Sequence, residues 1–104
     1  LEGGEGSSGP HHADYGVRTL DPNGLGVEFD RIRSAVAGGH TVPLYVGNDR
    51  RPAHIVLVTD ADEDAFTAYE PSAGRMVRVS RGDFVASRCS LGGWSTPWFS
   101  VLPR

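Results

Sequence analysis

The stretch from His54 to Gly74, HIVLVTDADEDAFTAYEPSAG, constrains this chain more than any other. HIVLVTD carries apolar residues on both of its alternating faces, the mark of a central strand covered on each side. Ala61 to Asp64 form a tight acidic turn, AFTAYE runs back as a second strand, and Pro71-Ser72-Ala73-Gly74 turns the chain again. A hairpin of this kind brings its far ends together. His54 at one end and Glu70 at the other then fall within hydrogen-bonding reach, although distant in sequence. A carboxylate that orients an imidazole supplies two of the three groups of a nucleophilic triad.

The rest of the chain surrounds this hairpin. Residues 1–14, LEGGEGSSGPHHAD, are Gly/Ser-rich without apolar periodicity and read as a flexible linker or appended tail. His11-His12 within it falls short of the four fixed ligands of a structural metal site. Residues 15–104 read as a single α+β domain, and 104 residues in all allow no more than one. YGVRTL alternates as a short strand, and Asp21-Pro22-Asn23-Gly24 is a turn. In VEFDRIRSAVAGG, Phe29, Ile32 and Val36 fall on one face, so one amphipathic helix of about three turns is expected, stopped by Gly38-Gly39. TVPLYVG (Thr41–Gly47) reads as a strand, with Pro43 at a sheet edge or among its first residues. RMVRVS is a third meander strand, and RGDFVAS a short helical turn that Ser80 can cap. WSTPWFSVLP is a last strand rich in aromatics, with Trp94, Trp98 and Phe99 read as core-filling in preference to a contact patch for a partner. The expected architecture is α+β: one helix packed on an antiparallel meander sheet of four to five strands.

Composition removes several function classes. A net charge of -3 with no lysine offers no basic surface for nucleic acid. No apolar run is long enough to span a bilayer, and no signal peptide is evident. One cysteine rules out an internal disulfide and leaves the compartment open. Asp60, Asp62 and Asp64 alternate like the first ligands of a calcium loop. Ala65, however, stands where that loop needs glycine and Pro71 where it needs its last glutamate, so they read as solvated hairpin acids. The glycine pairs Gly38-Gly39 and Gly92-Gly93 match no phosphate-binding pattern. No cofactor or metal is expected.

GGHTVPLYVG, HIVLVTD and YEPSAG, in this order after a helix, resemble the C-terminal half of papain-like cysteine peptidases of the bacteriocin-processing, double-glycine type. That family shows a helix, a Gly-x-Pro-Val strand, a His-x-Val-Val-Val strand, a hairpin and Asp-Pro-x-x-Gly. The resemblance covers roughly residues 27–80. It implies a papain-like half-domain in which His54 is the general base, Glu70 its orienting acid, and Pro71 and Gly74 the turn that fixes the acid. Two departures stand out. The acid is Glu, one methylene longer than the family's Asp. The region before the helix contains neither the nucleophilic Cys nor the oxyanion-hole Gln, so the nucleophile is expected upstream or lost.

Cys89, the remaining thiol, follows a short helix and has no nucleophile signature around it. It reads as a small buried apolar residue, with a nucleophilic role as a weak alternative. The expected partner is a peptide or acyl substrate, or a protein such as the missing N-terminal half. A second reading makes the chain a non-catalytic binding or interaction module on the same scaffold, part of a larger secreted or toxin-like protein.

Overall fold

In the computed structural model, which describes residues 14–104, six strands and two helices follow the order β1 (Tyr15–Thr19), α1 (Leu25–Ala37), β2 (Val42–Gly47), β3 (Pro52–Ala61), β4 (Ala65–Glu70), β5 (Arg75–Ser80), α2 (Arg81–Val85) and β6 (Thr96–Pro103). The strands form one open antiparallel sheet in the order β1-β6-β2-β3-β4-β5. The class is α+β. The sheet has six strands rather than four to five, because YGVRT finds a partner across the chain in β6, with Tyr15 opposite Pro103 and Thr19 opposite Phe99. There are two helices rather than one. Ser80 accepts the Asp83 N–H through its hydroxyl at 3.0 Å, and that cap lets RGDFV close as a short helix.

Alternation along the strands sorts the sheet into two faces. Val42, Leu44, Val46, Val56, Val58, Phe66, Ala68 and Val79 lie on one face and are buried. Helix α1 covers that face with Leu25, Phe29, Ile32 and Ala35, the stripe its 3.6-residue period predicts. Its exit is a paired reversal, with the Gly39 N–H on the Val36 carbonyl at 3.0 Å and the His40 N–H on the Ala35 carbonyl at 3.1 Å. Three aromatic rings knit helices to sheet. Phe29 lies 6.0 Å from Phe66 and 6.0 Å from Phe84, and Phe66 lies 5.6 Å from Phe84, measured between ring centres. The Arg81 guanidinium stands 5.6 Å over the Phe29 ring and ties α2 to α1.

Pro43 sits in an interior strand, between β6 and β3, but as its second residue, before the ladder to β6 begins at Leu44. Its missing N–H therefore costs no bond to β6. On the opposite face Tyr45, Phe99, Ile55, Leu57, Tyr69 and Met76 form an apolar band that neither α1 nor α2 covers, with Met76 49% exposed. Trp94, Trp98 and Phe99 are half-buried rather than core plugs. Trp94 packs against the core edge, Trp98 donates its indole N–H to the Asn48 carbonyl at 2.8 Å, and Phe99 meets Tyr45 edge-on. Among the described residues, no helix is long and apolar enough to cross a membrane.

Phe66→Ala removes the ring shared by sheet and both helices. It should lower unfolding free energy by about 3–5 kcal/mol, read as a shifted urea midpoint with an unchanged slope.

Candidate functional site

The β3–β4 hairpin builds the site from strand register. His54, Val56 and Val58 share the helix-covered face of β3, and Phe66, Ala68 and Glu70 share it on β4. Leu57 pairs with Tyr69. Continuing that register by one residue puts Glu70 opposite Val56, and so diagonal to His54. Diagonal neighbours in a sheet are roughly 7–8 Å apart at their backbones, a gap that long side chains bridge. His54 Nε2 and Glu70 Oε2 meet at 2.9 Å. Entry to β3 is held by the Asn48–Arg51 loop, whose Asn48 side-chain oxygen accepts the Arg50 and Arg51 N–H groups at 2.8 and 3.0 Å. Trp98 clamps the same loop from the Asn48 carbonyl.

Glu70 is 2% exposed, so its charge needs donors. Three arrive. The Ser72 hydroxyl lies 2.7 and 2.8 Å from its two oxygens, the Ser72 N–H donates to Oε2 at 2.8 Å, and His54 supplies the third. Pro71 and Gly74 shape the turn that brings Ser72 back. The Gly74 N–H closes on the Glu70 carbonyl at 2.8 Å with φ at +62°, a left-handed conformation that favours glycine. Ser72 is the site residue that sequence reasoning missed. Its signal was present: a small hydroxyl residue two places after an acid can fold back on that carboxylate.

These donors set the electrostatics. The Ser72 hydroxyl, more than any other group, draws the Glu70 carboxyl down to about 2; burial opposes it, and the hydrogen bonds from His54 and the Ser72 N–H add to it. Because an ionised Glu70 only accepts, the neutral imidazole carries its proton on Nε2. Nδ1 is then the basic nitrogen, and among the described residues it has no hydrogen-bond partner. The arrangement can take a proton at Nδ1 and hold the resulting imidazolium against a fixed carboxylate.

Cys89 lies elsewhere in character. It is 3% exposed, and burial, with Asp83 adding to it, pushes its thiol up to about 12. At neutral pH it is a thiol and not a thiolate. In the acidic turn, the Asp62 Oδ1 accepts the Asp64 and Ala65 N–H groups at 2.8 and 2.9 Å, which shapes the hairpin. Among the described residues no three His, Cys, Asp or Glu side chains gather as metal ligands. His11-His12 and nearly all of the 1–14 linker reading lie outside the described residues.

The unfolded chain protonates Glu70 near 4.5 and the folded chain near 2. Stability from this group is therefore complete above about pH 5 and is lost as pH falls through the interval down to about 2. Ser72→Ala, which raises the folded value, should cost stability at neutral pH and less at about pH 2.5 in urea titrations; an equal cost at both would deny the link to charge. Iodoacetamide at about pH 8 should leave Cys89 unmodified in the folded protein and alkylate it in urea, read by mass spectrometry. Comparison with protein-family models, curated proteins and solved structures finds no match, so what the His54–Glu70 pair does is argued from its own geometry.

Proposed function

We propose that this chain is the His/acid half of a papain-like cysteine-peptidase-type domain, a half-domain whose thiolate comes from outside residues 14–104. The observation that carries the reading is the 2.9 Å contact between His54 Nε2 and a buried, ionised Glu70, which leaves Nδ1 as the available base. In the completed site an upstream Cys thiol gives its proton to His54 Nδ1. The thiolate attacks a peptide or acyl carbonyl carbon and forms a tetrahedral oxyanion. The imidazolium then returns the proton to the leaving amine, and an acyl-enzyme thioester remains for water to cleave. Glu70 fixes the ring and stabilises the imidazolium while it carries the charge.

Cys89 serves poorly as that nucleophile, being a buried thiol far from ionisation at neutral pH. The competing reading, a binding module that has lost its chemistry, draws on the uncovered band around Tyr45, Tyr69 and Met76. The pair weighs against it. An isolated buried carboxylate is costly, and an apolar side chain would serve a purely structural scaffold at that position with no donors to arrange.

The test is a longer natural form of the protein that includes a Cys preceded by Gln upstream of Leu1. It should hydrolyse peptide or thioester substrates in an iodoacetamide-sensitive way, and His54→Ala should lower kcat by about a thousandfold or more. Absence of any upstream Cys, or activity untouched by His54→Ala, overturns the reading.

A further inference from the structure

After α2 the chain makes a loop of unusual backbone. Ser87, Ser90, Gly92 and Gly93 have φ of +57°, +54°, +61° and +85°. Two non-glycine residues in the left-handed region within four positions are conformations that the surroundings must enforce. The enforcement is visible. Leu91 and Trp94 exchange backbone hydrogen bonds at 2.9 and 3.0 Å around Gly92-Gly93, a two-residue turn of the kind that needs positive φ at both centres. Leu91 is fully buried, and Trp94 packs on the core. The Cys89 N–H reaches the Ser95 carbonyl at 3.0 Å, and the Ser95 N–H reaches the Gly47 carbonyl at 3.2 Å, which fastens the turn to the end of β2.

The tip of this turn lies on the His54–Glu70 pair. A Cβ on Gly92 would stand 2.9 Å from Glu70 Oε1, 3.0 Å from His54 Nε2 and 3.1 Å from His54 Cδ2. No side chain larger than hydrogen fits there without moving the pair. A Cβ on Gly93, one residue on and equally left-handed, would meet nothing within 4 Å.

The geometry points to the Leu91–Trp94 turn as a fixed cap on the His54–Glu70 hydrogen bond, with Gly92 as a positioning residue that holds both side chains in their bonded rotamers and keeps water from the bond. The turn stands against the Nε2 side of the His54 ring and against Glu70 Oε1 at once. Water would otherwise compete for the same donors and acceptors and weaken their mutual hold. The catalytic meaning of this cap rests on the peptidase-type reading above, whereas the cap itself does not require catalysis.

The matched pair Gly92→Ala and Gly93→Ala tests it. Each places a side chain at a positive φ, and only the first collides with the pair. The readout is the His54 Nε2–H proton and its nitrogen in NMR spectra, assigned by loss of the signal in His54→Ala. Gly93→Ala should keep a downfield, slowly exchanging Nε2–H. Gly92→Ala should exchange it about tenfold faster or lose it, with the Nε2 shift moving toward that of a solvated ring. Equal behaviour of the two variants overturns the cap. Should Gly92→Ala not fold, the unsubstituted chain decides: an Nε2–H exchanging as fast as that of free imidazole overturns the cap, and a protected one upholds it. Hydrolytic activity enters neither arm, so failure here and failure of the peptidase-type reading are separate results.

Discussion

A carboxylate kept from water must be met by donors, and one end of this molecule is organised around that demand. Glu70 is buried because its strand alternation carries it to the helix-covered face with Phe66 and Ala68. Once there, it fixes what surrounds it. The chain must turn immediately so that Ser72 can fold back, and Pro71 and Gly74 make that turn close. His54 must point along the sheet rather than into solvent. The loop after α2 must approach without a side chain. Each of these costs something in isolation, whether a strained φ, an immobilised rotamer or a desolvated hydroxyl. Together they satisfy one charge and leave one imidazole nitrogen available.

Much of this was legible in sequence where the determinants are local. The strand pattern of HIVLVTD and AFTAYE, the intervening acidic turn and the Pro-x-x-Gly exit were sufficient to bring His54 beside Glu70. The helix over Phe29 and Ile32, its glycine stop and the Ser80 cap follow from residue type and spacing as well. What escaped is long-range. YGVRT cannot announce that its partner lies some eighty residues on, so the sixth strand of the sheet is visible only in the fold. Pro43 signals either a sheet edge or a strand's first residues, and only the fold decides for the second: the ladder to β6 starts one residue later, so an interior strand tolerates it. Gly92 carries no mark of what it touches, because close approach is a property of the fold and not of the Leu-Gly-Gly-Trp string. Ser72 was within reach and needed only the geometry of a side chain folding back on its neighbour.

The two faces of the sheet answer different constraints. The covered face is closed by interlocking Phe29, Phe66 and Phe84, where ring geometry sets the spacing between layers. The open face is apolar but carries the phenols of Tyr45 and Tyr69, each more than a third exposed. The buried acid Glu28 near the start of α1 shows the same economy as Glu70: Arg18 reaches it from β1 at 2.7 Å, so an ion pair fastens the edge strand beneath the helix.

The position of β6 has a consequence for the order of events in synthesis. The last of the described strands lies inside the sheet, between β1 and β2. Of the described strands, β1 is made first, and its partner in the sheet, Thr96–Pro103, is made last. The meander from β2 to β5 can meanwhile assemble with α1, holding open the slot beside Val42–Gly47. In that interval β2 presents an unpaired edge, and β1 is an extended segment in search of one. Pairing β6 between β1 and β2 closes the longest chain loops in the sheet, the kind of non-local pairing that slows folding.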